Sequence, residues 1–478
     1  MTPPPYDAVL IGAGNRGAEV YGQWALAHPH LLRVTAVAEP IAARREAVAR
    51  QHRIPQARQF ETWEDLLRQP KLADVAIITT QDQMHTGPTL AALEKGYDIL
   101  LEKPMASRLD EAVALVRAAE QAGRILQIAH VLRYTDFFQA VYEIVQSGRL
   151  GQLITVSHRE NVSSWHMAHS YVRGNWRRSD QASPMILAKS CHDMDVLYWI
   201  LGRRVRRLSS FGGLRHFCAE NAPPGAPSHC IDGCPFEETC PFYAPALYLD
   251  LNPIHYGLAQ ARSPVHRVAG RLARLSPDLL AALARVVPPL RQLSEYEGWP
   301  RSVITDRPGD LVALIAALKY GPYGRCVYKC DNDVVDHQVV AMEFEDGISA
   351  TFTMHGHSHE EGRTLRIDGS QATLLGKFSF NQTYLEVRDH RDWTVERMDF
   401  PNEVETGGHG GGDDGLMRAF IASLADRSQP PLTSARASLE SHLMAFAAEK
   451  ARVEGGVVDM DEFRAQAEQL GAGVVPSG

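Results

Sequence analysis

Residues 7–18 read Asp7-Ala8-Val9-Leu10-Ile11-Gly12-Ala13-Gly14-Asn15-Arg16-Gly17-Ala18. Four apolar residues run into three glycines in the order G-x-G-x-x-G, and a helical stretch follows from about Ala18. Leu32 to Ala38 alternates as a second strand and ends on Glu39. Gly12 permits the tight turn, Gly14 lets the backbone approach a pyrophosphate, and Gly17 lets the helix pack on the strand. The helix start, with Asn15 and Arg16 in the turn, offers free N–H groups and a positive dipole end to phosphates. Glu39 stands where a carboxylate accepts hydrogen bonds from ribose hydroxyls. These features predict a dinucleotide site; the plainer alternative is a glycine turn with only a structural purpose. Glu39 argues for NAD, because it would repel a 2′-phosphate. Arg44 and Arg45 lie just beyond and could accept one, so NADP stays open.

The alternation continues outward. Asp74 to Thr79 reads as a buried strand, Leu90 to Lys95 belongs to a helix, and Tyr97 to Leu101 is a strand ending in Glu102-Lys103-Pro104. Ser107 with Asp110 three residues on is a variant capping box for a helix to about Ala122, stopped by Gly123. Ile125 to Ala129 is a further strand. Repeated β-α units predict a parallel, doubly wound sheet with ligands at the strand C-terminal ends. Thr79, Thr80, Glu102, Lys103 and His130 fall at such ends, with His85 just beyond.

After Gly151 the pattern changes. Leu153 to His158, His337 to Phe344, Ile348 to Met354, Thr364 to Asp368 and Tyr384 to Val387 alternate as strands of a mostly antiparallel sheet. Helices are expected over about Tyr134 to Ser147 and Met185 to Leu201. The second carries Lys189, His192 and Asp195 at spacings of three, hence on one face. Residues 214–324 read as an insertion. Two helices, about Asp414 to Ala425 and Ser434 to Arg452, close the chain. The fold class is thus α/β: residues 1–130 form a Rossmann dinucleotide-binding domain and residues 131–478 an α/β domain with a large, mostly antiparallel sheet.

Composition narrows the function classes. The 478 residues are 45% hydrophobic and 22% charged, as in ordinary globular proteins, and the net charge of −8 speaks against a broad nucleic-acid surface. No run approaches the roughly 18–20 apolar residues of a membrane span. A strand begins by Tyr6 with no charged-then-apolar leader before it, so a cytoplasmic location is expected. Seven cysteines, an odd number in a long chain, do not suggest a disulfide framework.

Glycine turn, Glu39, the Thr79-to-His85 stretch, Glu102-Lys103-Pro104 and a later helix with His192 and Asp195 occur in one order. The chain thereby resembles the glucose–fructose oxidoreductase / inositol dehydrogenase family, Gfo/Idh/MocA, over residues 6 to about 202. The resemblance implies oxidation or reduction of sugars, inositols and related polyols with NAD or NADP, and an open sheet that often forms an oligomer interface. Lys103 matches the family lysine that reaches the reacting hydroxyl, where an ammonium stabilises a developing alkoxide. His192 matches the histidine of the active-site helix, a candidate general base. His85 falls in a region that the family uses to wall the nicotinamide pocket, which implies cofactor contact rather than catalysis. One departure stands out. The aspartate that many members carry four residues before the histidine is Ala188 here, followed by Lys189, so Lys189 or Asp195 would tune His192 instead.

Further candidates come from the residues alone. His166, His169, Arg173 and Trp176 lie in a loop expected to face the cleft, and donors beside aromatic faces suit a sugar. His409 and Asp413 occupy a glycine-rich stretch. Cys230, Cys234 and Cys240, with His229 adjacent, could bind a structural zinc with Cys326, Cys330 or His229 as fourth ligand; free packed thiols or a disulfide are the alternatives. The Arg-rich stretch Arg262 to Arg291 reads as a solvated or oligomer-facing helix pair. The leading expectation is an NAD(P)-dependent dehydrogenase of a secondary hydroxyl on a sugar, glycoside or cyclitol, working as a homo-oligomer (dimer or tetramer) without nucleic acid or membrane. A glycosidase working by transient oxidation and elimination, and a nucleotide-sensing regulator without chemistry, are the rivals.

Overall fold

The computed structural model describes residues 5–259, 264–275, 296–401 and 408–471. Most of the expected Arg- and Leu-rich helical stretch, including Arg262 and Arg291, lies outside them. Six parallel strands build the first sheet: β1 (Tyr6–Ile11), β2 (Leu32–Ala38), β3 (Gln59–Phe60), β4 (Val75–Ile78), β5 (Asp98–Leu101) and β6 (Leu126–Ile128), in the spatial order β3-β2-β1-β4-β5-β6. β4 and β5 are buried throughout, as continuous apolar strands between two helical layers should be. The order reverses between β1 and β4, which opens a crevice at their C-terminal ends.

Gly12 sits at φ +92°, and a Cβ there would lie 2.8 Å from the Thr79 carbonyl oxygen. At Gly17 a Cβ would lie 2.1 Å from the Gly12 oxygen, so only glycine lets the widened helical turn Asn15–Gly22 seat on the strand. Gly123 ends the helix Leu109–Ala122 in the left-handed region, as expected. The predicted capping box does not form: the helix starts after Arg108, with no side-chain cap, and Asp110 instead pairs with Arg108 at 2.8 Å.

The second sheet has nine strands: β7 (Leu153–Ser163), β8 (Val205–Gly213), β9 (His337–Phe344), β10 (Ser349–Ser358), β11 (Gly362–Gly369), β12 (Ala372–Ser379), β13 (Thr383–Asp389), β14 (Val395–Phe400) and β15 (Val458–Asp459). Their order is β14-β13-β12-β11-β7-β10-β9-β8-β15, antiparallel except where β10 pairs with β7. β8, β12, β14 and β15 were not expected from the pattern, and a third closing helix, Met460–Gly471, follows Ala435–Glu454. The expected helix 185–201 breaks into Met185–Ala188 and Cys191–Leu201, so Lys189 lies in the joint and does not share a continuous face with His192 and Asp195.

The helix Gly412–Ala425 returns to the first domain. Its Leu416, Met417 and Phe420 join one apolar cluster with Ala8, Leu10 and Trp24. The late glycine-rich stretch is thereby carried to the crevice. Among the described residues, no helix is long and apolar enough to cross a membrane.

Candidate active site

A cleft of about 2090 Å³ runs from the first helical turn, through Lys103 and His192, to the insertion. At the nucleotide end, the Glu39 carboxylate accepts the Ala13 and Ile41 N–H groups at 2.7 and 3.0 Å. Gly14 is extended, and a Cβ built there meets nothing within 4 Å, leaving open space in front of the helix start. That space, with N–H groups at its edge and an acid at the end of β2, fits a dinucleotide.

Asn15 and Arg16 line the cleft. Arg16 is clamped by Glu102 and Asp413, both at 2.6 Å, and by the Tyr21 hydroxyl at 2.7 Å. Burial alone would push Glu102 up, but Arg16, Lys103 and the Tyr21 hydroxyl outweigh it and hold the carboxylate below its usual range. Thr79 Oγ1 donates to the Gly12 carbonyl at 2.7 Å and braces the glycine turn, while Thr80 Oγ1 donates to Met84 O at 3.1 Å within its own loop. His85 is 1% exposed; its ring nitrogens lie 2.7 Å from Pro104 O and 3.1 Å from Thr80 O. It locks the strand ends from behind.

Lys103 Nζ donates to the Ala188 carbonyl at 2.9 Å. The position that lacks the expected aspartate therefore still supplies an acceptor, from its backbone. His192 stands in the first turn of the helix Cys191–Leu201 and faces the same cleft. Its Nδ1 is buried without a partner. Burial, helped by the nearby positive charge of Lys103, pushes His192 well below the usual histidine range, so the ring is neutral. The His130 and His409 rings lie 5.6 and 6.2 Å away. His409 lines the cleft, with Nδ1 3.0 Å from Asp413. Asp413 lies in the first turn of its helix, which Gly411 caps.

The remaining expected substrate residues divide. His166, Trp176 and Lys189 line the cleft. His166 Nδ1 lies 3.0 Å from Glu361, Lys189 donates to Glu361 at 3.1 Å, and Trp176 Nε1 donates to Asp82 at 3.1 Å. Burial pulls Lys189 down, but Glu160 and Glu361 outweigh it and hold it protonated. His169, Arg173 and Asp195 do not reach the cleft. His169 is buried against Tyr248 at 2.9 Å. Arg173 donates to the carbonyls of Arg325 and Phe242, both at 2.7 Å, beneath the insertion. Asp195 forms a buried two-bond ion pair with Arg133 at 2.6 and 2.7 Å. It does not line the cleft, and both its oxygens accept from Arg133 rather than from His192.

Sequence reading missed Trp165, Trp299 and Glu361 on the cleft wall, and the buried ion pairs of Arg363 with Glu160 and Asp193 at 2.5 and 2.8 Å. Trp299 and Glu361 come from segments far along the chain, and no local spacing marks them. The cysteines of the insertion are unpaired, and among the described residues no three His, Cys, Asp or Glu side chains are grouped to hold a metal ion.

A family model described as an oxidoreductase family with an NAD-binding Rossmann fold matches residues 7–130. Its companion, the C-terminal alpha/beta domain, matches residues 143–239. YteT of Bacillus subtilis (strain 168) is 22% identical over 371 residues, 75% of this chain and 74% of that protein. The 1,5-anhydro-D-fructose reductase of Ensifer adhaerens is 31% identical over 29% of this chain and 40% of its own length. The inositol 2-dehydrogenase of Corynebacterium glutamicum (strain R) is 26% identical over 41% of this chain and 54% of its own. These last two matches span about half of each relative or less. Levoglucosan dehydrogenase, solved with NADH and levoglucosan, superposes with a TM-score of 0.63 at 14% identity, covering 95% of this chain and 99% of that one. Both domain models, in order along one chain, carry the conclusion: the protein belongs to the Gfo/Idh/MocA oxidoreductase family.

Proposed function

We propose that the protein is an NAD-dependent oxidoreductase acting on a secondary hydroxyl of a sugar, glycoside or cyclitol. The observation that carries this reading is the opening of Lys103 and a neutral His192 onto one cleft beside the glycine turn. A bound nicotinamide supplies the hydride acceptor. The chain supplies the rest. Lys103, steered by the Ala188 carbonyl, keeps two N–H bonds for the substrate oxygen and stabilises the alkoxide that develops there. His192 accepts the hydroxyl proton at Nε2, since its Nδ1 is the buried nitrogen. The alcohol thus loses a hydride from carbon and a proton from oxygen.

Two contacts support NAD over NADP. Arg44 Nε is tied to Asp306 at 2.7 Å and Arg45 Nη1 to the Glu39 carbonyl at 2.5 Å, which turns both guanidiniums toward protein partners. The names of the reductase and inositol dehydrogenase relatives support the substrate class. A redox-assisted glycosidase is the second reading, favoured by the His166–Glu361 pair on the cleft wall, which offers an acid for a leaving group. The open face of the large sheet supports a homo-oligomer: Phe211 is 71% exposed, opposite Val339 on the neighbouring strand. Light scattering should read a dimer or tetramer, and a monomer would contradict that assignment.

The test incubates the protein and NAD with a panel of sugars, glycosides and cyclitols and reads products by mass spectrometry. A product two hydrogens lighter, with NADH accumulating, is expected. Free sugar and aglycone without net NADH would establish the glycosidase instead, and no conversion of any kind would remove both.

A further inference from the structure

The cleft exceeds what one sugar ring needs. Ordinary small-molecule sites enclose roughly 300–1,000 Å³, and this cleft holds about 2090 Å³. Few of its walls belong to the nucleotide end; most come from the second domain and the insertion. Beyond His192 and Lys103 the wall becomes aromatic. Trp165 and Trp299 stand with ring centroids 4.9 Å apart, and His166 lies 5.2 Å from Trp299. Both indoles are partly open to the cleft. Unlike Trp176, whose Nε1 is committed to Asp82, neither has an indole N–H partner among the described residues. The His166–Glu361 pair borders them with donors and acceptors.

This wall is set in advance. Trp299 belongs to the insertion and Trp165 to the short helix Ser164–His166 after β7, where a loop was expected, and buried ties join the two segments. His169 bonds the Tyr248 hydroxyl and stacks on Tyr323 at 5.0 Å. Arg173 pins the insertion through two carbonyls. A pair of half-open indoles whose N–H groups have no partner among the described residues, bordered by a carboxylate and an imidazole, suits the C–H face and hydroxyls of a carbohydrate ring. Preorganisation lowers the ordering cost of binding it.

We infer that the cleft takes a two-ring carbohydrate. The reacting ring lies at Lys103 and His192, and the second ring lies against Trp165 and Trp299. The assignment of the reacting end rests on the oxidoreductase reading; the second-ring site does not.

The test is calorimetric titration of the NAD-loaded protein with cellobiose, maltose and lactose against glucose and galactose. At least one disaccharide should bind about tenfold tighter than the monosaccharides, the scale of a good aromatic contact. Trp299→Ala should remove that advantage and Trp299→Phe should keep part of it. Trp165→Ala gives an independent second reading should the first variant lose its thermal transition. Disaccharides that bind no tighter than monosaccharides, or not at all, would overturn the inference. So would variants that weaken both sugar classes equally. NADH formed from a monosaccharide with no disaccharide advantage would remove the second-ring site and leave the oxidoreductase. A disaccharide advantage sensitive to Trp299, with no NADH from any sugar, would do the reverse.

Discussion

At the scale of single residues, polarity was legible and direction was not. Lys103 and His192 were singled out by the family resemblance at a strand end and on a helix, and both open on the cleft. His169, Arg173 and Asp195 carry the same polarity but serve as internal ties, because a sequence shows that a side chain is polar without showing where it points. The state of His192 gives a first prediction. Burial holds it neutral well below the ordinary histidine range. The acid limb of kcat/KM for oxidation should therefore fall well below pH 6.5. The pH profile of the initial rate checks this; a midpoint at or above 6.5 would exclude a buried neutral base.

At the scale of elements, the glycine turn was legible at Gly12 and Gly17, where a Cβ would collide with backbone, while Gly14 faces open space. Gly17→Ala puts a Cβ 2.1 Å from a backbone oxygen and should cost at least about 1–3 kcal/mol of stability. Gly14→Ala meets no protein atom, so stability should change by less than about 0.5 kcal/mol. Yet NAD affinity should fall about tenfold or more, because the methyl occupies the space left for phosphate. Denaturation midpoints and NAD titration separate the two variants; equal loss of affinity and stability at Gly14 would count against the dinucleotide site. The joint at Lys189-Ser190 was not legible, since the apolar spacing runs unbroken through it. Nor was the anchoring of the insertion. Arg173→Ala would remove the side-chain donor from the buried Phe242 carbonyl and the part-buried Arg325 carbonyl and should destabilise by about 1–3 kcal/mol. Chemical denaturation reads this directly, and an unchanged midpoint would refute the anchoring role.

At the scale of the whole molecule, the α/β class and the two sheets followed from the alternation of patterns. The return of the helix Gly412–Ala425 onto the first domain did not, because nothing local marks its partner. One global property follows from burial. His130, pushed down to about 3 by burial, and His169, His192 and His442, each lowered chiefly by burial, are neutral when folded. Unfolding restores a value near 6.5. Below that pH the unfolded chain binds the extra protons, so stability is fully present above about 6.5 and falls as pH drops through the range between the unfolded and folded values. Melting temperature should hold between pH 7 and 8 and decline steadily from 6.5 to 5; a melting temperature that rises on acidification would contradict it.

The central claim is that Lys103 and His192 perform proton and charge work for nicotinamide-linked oxidation in one cleft. The most direct measurement takes the wild type, Lys103→Met and His192→Asn, titrates each with NAD, and follows NADH formation on the same substrate panel. All three proteins should bind NAD with similar affinity, while the two variants lose about 10²–10⁴-fold in rate. A wild type that binds neither NAD nor NADP, or variants that turn over as fast as it does, would contradict the claim.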